Sequence, residues 1–290
     1  MSGREGTPPT APRRPESTRP RTDHVDAGSA PPSRRELEAI ERQQAELATQ
    51  AGAAVTDDRE LAVAWVRYRG RGPALNYAAV PRWSDADVAR LLNEVQAKAR
   101  AAGEWPVLTV CDGVSSPPDL AARLAADGWT LLAVERVMWT RHAPVVPHLD
   151  PGLRIEAVTP ASALDFVRVE SENFGVPAEL AGERAERLGA AVRDHRLRAF
   201  VVRLIKEPVA GARLTPGDRV AALTAISVVA RQRRRGYGRL VTAVATRAGL
   251  ATGHGLVWLS VDETNTPALN LYRSLGYEPA FLWSRWAGPR

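Results

Sequence analysis

The 290-residue sequence predicts a mixed α/β (α+β) protein, a twisted sheet flanked by helices. Three patterns carry that prediction. From Asn76 onward, short apolar runs alternate with stretches of helical period, as they do where helices pack on a sheet. Between Phe200 and Val229, three apolar runs are separated by Lys206-Glu207 and by Thr215-Pro216-Gly217-Asp218, the pattern of an antiparallel meander. The last run leads directly into RQRRRGYGR, residues 231–239, and then into a further helical period.

Residues 1–32 are rich in proline, arginine, serine and glycine and read as a disordered tail, because ordering them would cost entropy that no apolar burial offsets. Ser33 and Glu36 form a capping-box pattern ahead of Leu37, Ile40 and Leu47, which predicts a helix from about 34 to 50. A second helix is expected over Asp58–Tyr68, broken by Gly70 and Gly72. There follow a strand at Tyr77–Val80, a helix capped by Ser84 with Val88, Leu91, Leu92 and Val95 as its buried stripe, a strand at Val107–Cys111, a helix at Pro118–Ala126 and a strand at Trp129–Trp139. Residues 33–145 are therefore expected to be a helical segment followed by a small α/β domain without a catalytic role. Pro144, Pro147 and Pro151 mark 146–152 as a linker.

The second domain, 153–290, opens with a strand at Leu153–Val158. Thr159 caps the next helix and Pro160 takes its first position; the helix is expected to run to Asn173, with a break at Phe174-Gly175-Val176-Pro177 and a further helix over Ala178–Arg193. After the meander, Leu240, Val241, Val244 and Ala245 share one helical face, Val257–Val261 read as a buried strand, and Thr266-Pro267 starts a short helix that Gly276 stops.

Lysine and arginine number 39 against 33 aspartate and glutamate, a net charge of +6 that favours an anionic partner without naming it. One cysteine excludes an internal disulfide framework, and Cys111 in its apolar run reads as a buried small hydrophobe in a reducing, cytoplasmic protein. No secretory stretch and no apolar run of ~20 residues points to a membrane. His195 and His254 are isolated and no metal-ligand spacing occurs, so no metal is expected. Trp65, Trp83, Trp105, Trp129 and Trp139 are scattered through different elements, which suits packing better than a nucleic-acid platform.

The basic segment occupies a strand-to-helix junction. The first turn of a helix has backbone N–H groups without internal partners and the positive end of the helix dipole, a setting for phosphate. Gly236 and Gly238 remove side chains from the approach, and arginines present charged forks to phosphate oxygens. The plainer reading, in which the glycines only permit the turn and Arg231 and Arg234 face water, stands beside it. Neither a GxxxxGK loop nor a GxGxxG fingerprint is present, which argues against nucleotide hydrolysis and hydride transfer.

Val228 followed by Arg233-Arg234-Arg235-Gly236-Tyr237-Gly238 resembles the acyl-CoA loop of the GCN5-related N-acetyltransferase (GNAT) superfamily. About thirty residues later, Asn265 to Tyr277 resembles its second signature, N-x-x-A-x-x-L-Y-x-x-L-G-F, with Tyr277 at the final aromatic. The resemblance implies a GNAT-like twisted mixed sheet over 153–290 with the cofactor between two splayed parallel strands. It also implies acetyl-CoA as donor and CoA as product, bound by Val228, Val229, Arg233, Arg234, Arg235, Gly236, Tyr237, Gly238, Arg239, Asn265, Ala268 and Tyr272. Tyr272 would protonate the departing thiolate. Glu170 and Glu172, beside the Phe174 break, are expectations for base or amine anchor, with ordinary surface carboxylates as the plain alternative; Asp262 and Glu263 are weaker candidates.

Ala126-Asp127-Gly128-Trp129 resembles the end of the same fold without its cofactor loop, so the first domain is expected to be a divergent, smaller GNAT-like half-domain. The expected activity is N-acetylation of a primary amine of a small molecule or peptide by direct attack. The alternative is a non-catalytic, CoA-sensing or nucleic-acid-binding regulatory protein that keeps the fold. The resemblance further suggests a homodimer; nothing suggests a membrane, and no helix-turn-helix or metal finger supports nucleic acid as partner.

Overall fold

The computed structural model describes residues 30–68, 75–148, 151–175 and 177–289. The expected tail, apart from residues 30–32, and the Gly70 and Gly72 break lie outside them. Pro32–Arg290 forms one compact unit.

Helix α1 (Arg34–Glu46) begins at the predicted capping box, with Ser33 and Glu36 each accepting the other's backbone N–H, and ends in a single-turn continuation over Leu47–Ala51. The expected helix over Asp58–Tyr68 is corrected: the chain instead forms an antiparallel hairpin of β1 (Ala53–Asp58) and β2 (Val63–Tyr68). Val63, Ala64, Trp65 and Val66 are all buried, and a run buried on both sides suits a strand inside a sheet better than a helix with one wet face. The order then follows expectation: β3 (Tyr77–Ala79), α2 (Val88–Ala101), β4 (Val107–Cys111), α3 (Leu120–Ala126) and β5 (Thr130–Thr140). The second half contains β6 (Leu153–Ala157), α4 (Ala163–Phe174), α5 (Ala181–Arg193), β7 (Arg198–Leu204), β8 (Glu207–Pro216), β9 (Val220–Val228), α6 (Tyr237–Leu250), β10 (Leu256–Asp262), α7 (Thr266–Arg273) and β11 (Glu278–Ala287).

All eleven strands join in one mixed sheet of order β1-β2-β3-β4-β11-β5-β10-β9-β8-β7-β6. Among the described strands, only β3 with β4 and β9 with β10 run parallel. The two halves exchange their last strands. The β5 strand of the first half lies between β10 and β11, while β11 of the second lies between β4 and β5. The 146–152 segment separates the halves along the sequence, yet the sheet passes through both without a break.

The core is layered on the two faces. On one, α6 and α7 cover Leu214, Leu223, Val257, Leu259 and Val261, together with Leu240, Val241, Tyr272 and Tyr277. Gly249 is required there, since a Cβ at that position would lie 2.7 Å from Val257 Cγ2 and 3.0 Å from Leu214 Cδ1. On the other face, Ile40 of α1 packs with Val137, Trp139, Val220, Ala222 and Trp258. Trp258, 1% exposed, donates its indole N–H to Gln43 Oε1 at 2.7 Å, so its large apolar burial leaves no polar group unpaired. α4 and α5 pack on each other and on β7, around Phe166, Val167, Leu188 and Val201.

Candidate active site

The central feature is an opening between β9 and β10. Their parallel pairing is confined to Leu256 with Val220, Val257 with Ala221 and Trp258 with Ala222. Beyond that point β10 stays with β5 up to Asp262 opposite Glu135, while β9 follows β8. The divergence has a local cause: the β8/β9 register shifts between Gly211 and Arg213, and Ala225, within the shift, has φ of 52°, a left-handed conformation unusual for alanine. Such a bulge bends its strand and adds twist. From Leu223 onward, β9 turns toward β10 an edge that no strand pairs.

The end of β9 leads into the basic segment. After Val229, which is buried, a single turn spans Ala230–Gln232; Arg233 is extended, Arg234 has φ of 65° and Gly236 has φ of 83° before α6 starts at Tyr237. Gly236 caps α6 without a side chain, and the amides of Arg235, Gly236, Tyr237, Gly238 and Arg239 find no acceptor among the described residues. Tyr237 turns its ring into the core, 7% exposed, which fixes the first turn with its amides outward.

The arginines divide by partner. Arg231 pairs with Glu207. Arg233 donates to Asn173 Oδ1 at 2.9 Å and to the Val228 carbonyl at 3.3 Å, and Arg239 donates to Ser274 Oγ at 2.6 Å. These three fasten the loop to β8, α4 and the end of α7. Arg234 and Arg235 are exposed and have no partner among the described residues, so two guanidinium groups stand free beside the row of amides. The remaining predicted cofactor residues have structural duties: Asn265 caps α7 by accepting the Ala268 amide at 3.2 Å, and Val228 lies against Gly238, where a Cβ would be 3.6 Å from Val228 Cγ2.

Tyr272, near the end of α7, is 6% exposed and sits on the α6/α7 face with its ring centroid 6.0 Å from that of Tyr277. Tyr277 shares a hydrogen bond with Thr246 at 2.7 Å, whereas the Tyr272 hydroxyl has no partner in the described chain. Burial pushes the Tyr272 phenol up to about 12, so it holds its proton at neutral pH.

The predicted base positions are differently placed. Glu170 is buried between Arg213 and Arg184, each 3.0 Å from one of its oxygens, so the carboxylate is committed to two guanidiniums inside the fold. Glu172 accepts the Ala230 amide at 2.8 Å and thereby ties α4 to the basic loop. Glu263 pairs with Arg136, and Asp262 accepts both the amide and hydroxyl of Thr264, at 2.8 Å and 2.5 Å. The opposite wall carries one residue the sequence did not single out: Glu135 on β5, half-buried, with its carboxyl raised above the ordinary range chiefly by burial. Only the pairing of β5 with β10, a long-range event, brings it to the opening.

The first half has a crevice in the equivalent place. There β3 and β4 pair at Ala78 with Leu108 alone, but the chain fills the gap itself. The Trp83 amide donates to the Ser116 carbonyl and the Ser116 amide to that of Pro81, both at 3.1 Å; the buried Trp83 indole donates to Leu61 at 2.7 Å, and Arg82 pairs with Glu41. Among the described residues no group of side chains could hold a metal ion, and no helix is long and apolar enough to cross a membrane.

A sheet opened between parallel strands, with bare amides at the start of the helix that follows, is the arrangement this chain can be compared by. Residues 164–277 match the acetyltransferase (GNAT) family, and the chain's likeness to that family rests on this domain. A GCN5-related N-acetyltransferase from Kribbella flavida superposes with a TM-score of 0.65 at 20% identity, over 91% of this chain and 97% of that one. A tandem GNAT protein from the clavulanic acid biosynthesis pathway gives 0.62 at 19% identity, over 79% of each chain. A GCN5-related N-acetyltransferase from Sphaerobacter thermophilus gives 0.61 at 17%, over 89% of this chain and 93% of that one. At these identities the likeness shows the fold. A search of curated proteins finds no match. Fold and family together support acyltransferase activity in general.

Proposed function

We propose that the protein transfers an acetyl group from acetyl-CoA to a primary amine of a small molecule or peptide by direct attack. The observation that carries the reading is the row of unpaired amides from Arg235 to Arg239, flanked by the free guanidiniums of Arg234 and Arg235 at the mouth of the β9/β10 opening. These donors suit a diphosphate: the amides and helix dipole attract the anion, and the arginines supply charged hydrogen bonds.

Acetyl-CoA, when bound, supplies the acyl group as a thioester already activated for attack. The chain's own residues then have distinct tasks. The unpaired edge of β9 offers backbone N–H groups to a carbonyl oxygen as negative charge develops on it. Tyr272 keeps a proton at neutral pH and gives it to the departing sulfur. The filled crevice of the first half supports a single cofactor site per chain and a structural role for that half. The buried Cys111 fits a reducing, cytoplasmic setting. Small amines or peptide amines, and a second copy of the chain, are the partners this reading expects.

A thiol-release assay with acetyl-CoA and a panel of polyamines, amino acids, aminoglycosides and peptide N-termini tests it. Turnover with one class is the expected result. Tight CoA binding without turnover on every amine would replace catalysis by a CoA-sensing role.

A further inference from the structure

We propose that the first half of the chain supplies the general base of this site: Glu135, on the exchanged strand β5, takes the proton of an acceptor arriving as an ammonium on the sheet face opposite Tyr272. The inference rests on the acyl-transfer reading and adds the group that reading lacks.

The face is fixed by registry. Trp258 points toward α1, since its indole donates to Gln43. Side chains two apart on a strand share a face, as do directly paired residues, so Ser260 and Asp262 of β10 lie on the α1 side with Val137 and Glu135 of β5. Ser260 is the first residue of that face beyond the last β9/β10 pair. On the opposite wall the corresponding residue is Thr224, two beyond Ala222 and paired with Arg213. Tyr272 lies across the sheet with Leu259 and Val261. Donor and acceptor can therefore approach the opening from opposite faces.

The groups around Glu135 suit an amine. The side chains of Ser260 and Gln44 both favour its charged form. The side-chain oxygen of Gln44 and the hydroxyl of Thr224 are buried on this side without a partner among the described residues. An ammonium has three N–H donors and no acceptor, the complement of such oxygens. The other carboxylates near the opening are engaged: Glu170 and Glu263 with arginines, Glu172 with a backbone amide, and Asp262 with Thr264, whose hydrogen bonds hold it below the ordinary range.

Burial is the main influence on Glu135 and raises its carboxyl; Asp262 of β10 adds to this, while Ser260 of β10, Arg285 of β11 and Gln44 of α1 oppose it. Tyr77 of β3 also lies within its field. A raised carboxyl is a stronger base near neutral pH. In the step, an N–H bond of the ammonium breaks, its proton passes to Glu135, and the electron pair stays on nitrogen. The C–N bond then forms and the C–S bond breaks, sulfur taking a proton from Tyr272. The second proton lost by nitrogen restores Tyr272, and Glu135 releases its own to water.

The test compares pH profiles of kcat/KM for the full chain, Glu135→Gln, Glu135→Asp and Ser260→Ala on whichever amine of the panel turns over, with CoA affinity measured calorimetrically for each. Glu135→Gln is expected to lower kcat/KM about 10²-fold and erase the acidic limb, with CoA affinity unchanged and Glu135→Asp restoring part of the rate. Ser260→Ala removes a hydroxyl that favours the carboxylate, so the acidic limb should move to higher pH. An unchanged rate and limb in Glu135→Gln, an equal loss of CoA affinity, or a limb that Ser260→Ala leaves in place overturns the inference alone. A wild-type chain that binds CoA but acetylates no amine overturns the transferase reading and this inference with it.

Discussion

Glu172 accepts the backbone N–H of Ala230 at 2.8 Å, joining the last turn of α4 to the first residue after β9 and the Val229 that follows it. This bond holds the loop whose amides face outward. Replacing Glu172 by alanine is expected to weaken CoA binding about threefold to tenfold, near 1 kcal/mol for one charged hydrogen bond to an exposed amide, while leaving the pH profile of turnover in place. Calorimetric titration with CoA checks the first part and steady-state kinetics the second.

Tyr272 carries a hydroxyl without a partner among the described residues, in a well-packed setting. Tyr272→Phe keeps the packing and removes only the proton donor, so kcat should fall about 10²-fold while CoA affinity changes little. A parallel loss of both would assign the ring to ligand packing instead.

Arg234 has φ of 65°, in a region costly for a side chain bearing a Cβ. Arg234→Gly should relieve roughly 1 kcal/mol and raise the thermal midpoint, while removing a free cation from the anion site. Stability and CoA affinity are expected to move in opposite directions, and the affinity loss should shrink as salt is added. Thermal melts and titrations at two ionic strengths measure both.

Glu36 is held down to about 2, chiefly by the hydrogen bond from Arg141, against a smaller cost of burial. A depressed carboxyl contributes stability that is complete above the ordinary carboxylate range and is lost as pH falls toward 2. Glu36→Gln keeps the helix cap but not the charge, so it should be less stable than wild type by about 1–2 kcal/mol at pH 7, and the two should converge near pH 2. Denaturant titrations across that interval provide the measurement.

Residues 151–290 hold both GNAT signatures, yet without β5 they leave β10 and β11 with no partner between them. That fragment alone is expected to show no cooperative unfolding transition and to aggregate through its open edges. Calorimetry and light scattering on the fragment and the full chain would reveal the difference.

Much of the architecture was legible because its signals are local. Ser33 with Glu36, Thr159 with Pro160 and Thr266 with Pro267 mark helix starts by signals made within a few residues, and each starts a helix or helical turn at that place. The hairpin at β1 and β2 was not legible, since Leu61, Val63 and Val66 fit a helical stripe as well as a strand until neighbouring strands bury them. Among the site residues, the glycines and arginines of 233–239 announced themselves by composition. Which arginines are free was settled by partners far away in sequence, Asn173 for Arg233 and Ser274 for Arg239. Glu135 had no local signal at all, because its setting is made by β10, β11 and α1 together.

The crossing of β5 and β11 also orders events during synthesis. When the ribosome has made the first half, β4 and β5 have both emerged, but the strand that will lie between them follows every other described strand of the sheet. The growing chain must carry those unsatisfied edges until Glu278–Ala287 leaves the exit tunnel, so neither half completes its sheet before the other. A premature stop at Glu278 would therefore undo the half made first as well as the half to which β11 belongs.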